Sequence, residues 1–222
     1  MKKFRLLLAF VLVLRLTSAA EEGMWIPMLI EQLNIKQMQD LGLKLTAEDI
    51  YSVNHSSLKD AIVQFGGGCT AEIVSPQGLI LTNHHCGLGA IQRQSSVQHD
   101  YIADGFWARS FEEELPCQGI TVTLLVRMEA VTDKILMGVD DRMNQLQRLQ
   151  IIRQNTEKVE KEAVAGTNYE AKVRSFYYGN QYYLFINEVF RDVRLVGAPP
   201  SSIGKFGGDT DNWMWPRHTG DF

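Results

Sequence analysis

Residues 66–86 read GGGCTAEIVSPQGLILTNHHC, and the fold turns on how this stretch is read. Two short apolar runs, Ala71 to Val74 and Leu79 to Leu81, flank Ser75-Pro76-Gln77-Gly78. Proline fixes one turn torsion and glycine tolerates a positive φ, so the pattern predicts a β-hairpin. Cys69 precedes the first run and Cys86 follows the second. Antiparallel strands can bring such positions close enough for a disulfide. His85 stands immediately before Cys86. A histidine at a strand end, anchored by its neighbour's bridge, is well placed for acid–base work.

Working outward, the 222 residues carry a net charge of -4 and 45% hydrophobic content. That is enough apolar material for one or two ordinary cores, and the mildly acidic balance argues against a nucleic-acid partner. Met1 to Ala20 form their own unit: Lys2, Lys3 and Arg5, an apolar run from Leu6 to Leu14, then Thr17-Ser18-Ala19-Ala20. This is the pattern of a secretory signal peptide cleaved after Ala20, against the alternative of a buried N-terminal helix. The run is too short to span a bilayer, and no later segment is long and apolar enough. An exported chain, periplasmic or at the cell surface, lives where disulfides persist, which favours a Cys69–Cys86 bridge over a metal site. Cys117 is left over.

Taken in order, Met28 to Leu43 has a helical apolar pattern stopped by Gly42, and a short helix follows from Thr46. Asn54 to Ser57 reads as a turn, and Leu58 to Phe65 leads into the hairpin. After Cys86, Gly87 and Gly89 suggest a loop, and Ala90 to Phe111 shows no clear period beyond one helical turn. Ile120 to Val131 reads as a strand. Asp140-Asp141 opens a polar helix to about Val164, closed by Gly166. Tyr169 to Tyr178, Gly179-Asn180 and Gln181 to Val193 read as a second hairpin, and Pro199-Pro200 ends it. Strands alternating with turns, plus a few helices, predict a mainly β domain over residues 21–222: an incomplete β-barrel with a helical insertion.

Histidine-cysteine with a partner cysteine seventeen positions upstream, His85-Cys86 and Cys69, resembles the histidine segment of chymotrypsin-fold serine peptidases, and such an enzyme needs a hydroxyl nucleophile, an imidazole and a carboxylate that fixes the imidazole's tautomer. His85 supplies the imidazole, and Asp221, in His218-Thr219-Gly220-Asp221-Phe222, is the candidate carboxylate. No serine sits in a Gly-x-Ser-Gly setting, and Ser201-Ser202, between Pro200 and Ile203, does not qualify. His84 reads as structural. Asn212 and Trp213, in DNWMWPRHTGDF, offer an amide oxygen and an aromatic face, both acceptors for an ammonium group; the plain alternative is an aromatic cluster packing the barrel end. Zinc is disfavoured because His84, His85 and Cys86 would alternate faces in a strand, and no second ligand pair accompanies them. No cofactor is expected.

The hairpin wording together with DNWMWPRHTGDF resembles the bacterial dipeptidyl-peptidase 7 and dipeptidyl-peptidase 11 family of serine exopeptidases, from about Trp25 to Phe222. The resemblance implies a chymotrypsin-like barrel in which His85 and Asp221 are triad members. It also implies that Asn212 and Trp213 hold the free α-ammonium of an oligopeptide substrate. By the same resemblance the nucleophilic serine lies several hundred residues further on, in a second barrel beyond a helical domain, so the chain is expected to be an N-terminal portion, inactive alone. Homodimerisation when full length is implied too. The alternatives are a trypsin-like endopeptidase, against which Asn212-Trp213 argues, and an inactive truncated fragment that binds peptides.

Overall fold

The computed structural model describes residues 25–140, 142–206 and 220–221. The signal-peptide expectation, Met1 to Ala20, and the Asn212 and Trp213 expectations fall outside them. The chain divides after Ala47 into two units. The first holds a 3-10 turn, Pro27–Leu29, then helices α1 (Ile30–Leu33) and α2 (Ile35–Asp40). The single helix expected from Met28 is broken at Asn34, whose φ of -146° leaves the helical region and whose side-chain amide turns to Met38 Sδ. Asparagine competes with the backbone in this way, which is why it interrupts helices. Gly42 stops α2 with φ +112°, as its sequence position predicted.

The second unit is built on one six-stranded sheet. After α3 (Ala47–Ile50) come β1 (Ile62–Phe65), β2 (Cys69–Ile73) and β3 (Ile80–Thr82), an antiparallel meander. The expected hairpin is β2–β3, with Gly78 N–H donating to Ser75 O at 3.1 Å and φ +82° at Gly78. The triple glycine before it is itself a tight turn, since Phe65 pairs with Cys69 and Gly66 has φ +57°. Then follow α4 (His84–Gln94), α5 (Tyr101–Asp104), β4 (Phe106–Trp107), β5 (Leu115–Pro116), the long β6 (Val122–Ala130), α6 (Thr132–Ile135) and α7 (Gln145–Ala163). β7 (Glu170–Phe176) and β8 (Gln181–Phe190) form the second hairpin. β9 (Arg194–Leu195), β10 (Gly197–Ala198), α8 (Ser201–Gly204), β11 (Lys205–Phe206) and β12 (Gly220–Asp221) complete the described chain. The short strands pair as ribbons: β4 with β10, β5 with β9, β11 with β12.

The sheet order is β3-β2-β1-β6-β8-β7. The class is mainly β with added helices, as expected, but among the described residues the sheet is open and does not close into a barrel. The sheet buries two apolar clusters. At the β7–β8 end α6 and α7 cover it, burying Val131, Ile135, Val159, Tyr182, Leu184 and Ile186 together. At the β1–β2 end a smaller cluster, Val63, Ala71 and Val122, is packed by Phe65, Ile80 and Leu124. Between the two, β6 bulges: Leu125 faces Asn187 and Arg127 faces Ile186, leaving Val126 as the extra residue. The Tyr51 hydroxyl accepts the nearby Met128 N–H at 2.8 Å.

Two helix boundaries differ from the sequence reading for identifiable reasons. α7 starts at Gln145, five residues after Asp140, because Asn144 and Gln147 close a reciprocal capping box. Asp140 instead binds Arg142 through the side chain and backbone, in the turn before the helix. Residues 84–94, read as a loop after Cys86, are helical through both Gly87 and Gly89, because burial of His84, Ala90 and Ile91 overrides the local cost of glycine.

Candidate active site

β3 ends at Thr82, whose hydroxyl donates to Thr70 O at 2.9 Å and so holds the strand end on β2. Asn83 leaves the strand with extended torsions, φ -70° and ψ 145°, and serves as the N-cap of α4. Cys86 N–H donates to Asn83 O at 3.0 Å, closing the first helical turn. His84 and His85 therefore lie in the first turn of a helix and not at a strand end. Successive helical residues point about 100° apart, so the two imidazoles separate: His84 is 4% exposed, His85 is on the outside.

The expected bridge is present. Cys69, the first residue of β2, is joined to Cys86 across a Cα–Cα distance of 6.1 Å. The bridge pins the turn of α4 that carries His85, and Cys86 Sγ lies 3.4 Å from His85 Nε2. The two sulfurs and an imidazole nitrogen fall within 4.8 Å of one another, a spacing that would suit a metal ion. Both sulfurs are spent in the disulfide, however, and neither is a thiolate. Cys117 is buried, and its Sγ contacts Leu115 O at 3.5 Å. Burial pushes its thiol pKa up.

The backbone of Asp221 lies in the β11–β12 ribbon, opposite Lys205. This ribbon packs on α8, α8 packs on α5, and α5 packs on α4. A side-chain contact spans the same gap directly: Ser201 Oγ, at the start of α8, meets His84 Nε2 at 3.4 Å. Ser201 thus pairs with the buried histidine and not with His85. Sequence reasoning dismissed Ser201 as a nucleophile and read His84 as structural; it missed that the two belong together. No local pattern signals a contact between residues 117 positions apart. A surface cleft of about 320 Å³, lined by His55, Lys59, Asp60, Leu125, Tyr169 and Glu188 among others, shares no residue with the His84–Cys86 turn.

Comparison with known proteins extends this geometry. The chain is 56% identical over 206 residues to the Asp/Glu-specific dipeptidyl-peptidase of Flavobacterium psychrophilum, covering 93% of this chain and 29% of that protein. It is 52% identical over 219 residues to dipeptidyl-peptidase 7 of Capnocytophaga gingivalis, covering 99% of this chain and 31% of that protein. The crystal structure of Porphyromonas endodontalis DPP11 in complex with substrate superposes with a TM-score of 0.80 at 47% identity, over 90% of this chain and 30% of that one. The chain therefore spans about 30% of the length of the relatives it matches. The sequence profile of peptidase S46 matches residues 20–222, and with half the residues shared across nearly its whole length, this chain belongs to the peptidase S46 family.

Proposed function

We propose that this chain is the His-Asp portion of an exported serine dipeptidyl-peptidase that removes dipeptides from the free N-terminus of oligopeptides. In this reading His85 is the general base, and Asp221 orients its imidazole and stabilises the imidazolium formed on proton transfer. The nucleophilic serine comes from outside these 222 residues. Asn212 and Trp213 take the substrate's α-ammonium, which sets the cleavage point two residues in. Met1 to Ala20 directs export, and the whole enzyme is a homodimer. The observation that carries the proposal is the solvent-facing His85 on a helical turn pinned by the Cys69–Cys86 bridge, in a chain about half identical to named dipeptidyl-peptidases. A base must meet its substrate, and a fixed turn supplies the orientation that proton transfer requires. Relatives named for Asp/Glu specificity and relatives named dipeptidyl-peptidase 7 match at similar identity, so the proposal assigns no side-chain preference.

The test uses the complete polypeptide that carries this chain. A dipeptidyl arylamide with a free amino group should be hydrolysed, and His85→Ala should lower kcat by at least about a thousandfold. Asn212→Ala should raise KM for the free-amine substrate. Equal cleavage of an N-terminally acylated analogue would move the assignment to an endopeptidase.

A further inference from the structure

Ser201 reaches His84 because two glycines let the chain before it lie flat. β10 pairs with β4, Gly197 opposite Trp107 and Ala198 opposite Phe106. A Cβ at Gly197 would lie 2.5 Å from the Trp107 ring, so the ring rests on bare backbone there. Gly105 has φ +77°, and a Cβ on it would fall 2.8 Å from Ala198 O and 2.9 Å from Pro200 Cδ. No larger residue fits either place unless the two segments part. Residues 197–200 are thus clamped, and Ser201, the next residue, arrives at the buried His84 imidazole. From Ser201 the chain enters α8, which packs on both β11 and β12.

We propose that His84 is a positioning residue for the peptidase reaction: through Ser201 it holds α8, and with it the backbone of the β11–β12 ribbon that carries Asp221, against the turn that carries His85. The proposal rests on the reading of His85 and Asp221 as the catalytic pair. Its physical basis is adjacency. His84 and His85 share one helical turn, one facing in and one facing out, so a segment tied to the first is referenced to the second. A base and its orienting carboxylate act only within a narrow range of separation and angle, so a tie between the two backbone segments that carry them bears directly on that geometry.

The complete polypeptide is again the test object, with kcat and KM measured for Ser201→Ala, Ser201→Thr, His84→Ala and His85→Ala on the free-amine arylamide. Ser201→Ala should lower kcat about tenfold with KM within about twofold, a loss confined to the reacting geometry. Ser201→Thr keeps the hydroxyl and should recover most of the rate, and His84→Ala should fall at least as far as Ser201→Ala. Because removing a buried imidazole can unfold the turn, the Ser201 pair is the deciding comparison. Unchanged kcat in Ser201→Ala, or equal losses in the Ala and Thr variants, would overturn the positioning role while an inactive His85→Ala leaves the parent reading standing. Full activity in His85→Ala would bring down both.

Discussion

The two ends of the large sheet are held together by different means. At the β7–β8 end, helices α6 and α7 lie over the sheet, and Ile135, Leu184, Ile186 and Val131 are at most 2% exposed. At the β1–β3 end the buried cluster is Val63, Ala71 and Val122, with no residue larger than valine. That end instead carries a disulfide, two glycine-dependent turns and the Thr82–Thr70 hydrogen bond. Apolar burial is non-directional and stabilises whatever packs against it, whereas a bridge or a hydrogen bond fixes particular atoms. The helix-covered end stores stability; the hairpin end stores geometry, and His85 stands on the latter.

The sharpest way to break this contrast is to empty the core of the covered end. Leu184→Ala, at a site 1% exposed, should cost about 4 kcal/mol, read as a fall in denaturant midpoint with the slope unchanged. A loss below about 1 kcal/mol would show that the covered end is not where stability resides. Next, Cys69→Ala with Cys86→Ala removes a bridge closing a loop of sequence separation 17, worth about 3 kcal/mol of chain entropy. The contrast predicts more than the total: hydrogen-exchange protection should drop in residues 69–94 while β8 and α7 keep theirs. Uniform loss across both ends would erase the distinction. The smallest effect is Asn144→Ala, which removes the N-cap of α7 and should cost about 1 kcal/mol without touching the hairpin end, as checked by thermal unfolding.

Much of this was legible in the amino-acid order. The β2–β3 hairpin follows from Ser75-Pro76-Gln77-Gly78, the β7–β8 hairpin from two aromatic, β-branched arms, and the bridge from cysteines flanking a hairpin. The turn of the second hairpin starts at Tyr177, two residues before the expected Gly179. Tyr177 and Tyr178 take positive φ, 49° and 59°, which no propensity rule assigns to tyrosine when a Gly-Asn pair follows. The helix through Gly87 and Gly89 was hidden for the opposite reason. Its cause is tertiary, the covalent hold at Cys86 and the inward faces of His84, Ala90 and Ile91, and a local pattern cannot report either. At the site, the bridge beside His85 was legible from its neighbours in sequence, but the Ser201–His84 contact joins residues 117 positions apart and has no local signature.

Cys117 completes the account of the three sulfurs. Three thiols on one chain can pair in three ways. Thiol–disulfide exchange requires a thiolate that can collide with a partner sulfur, and Cys117 is only 6% exposed, with its thiol held protonated by burial. Cys117 follows β5 directly, its N–H donating to Val193 O at 2.8 Å beside the β5–β9 ribbon, and its burial there withdraws the third cysteine sulfur from the exchange reaction. The native pairing is then kept by denying a competitor access, so a mutation that merely loosens that ribbon would cost fidelity of oxidation before it cost stability.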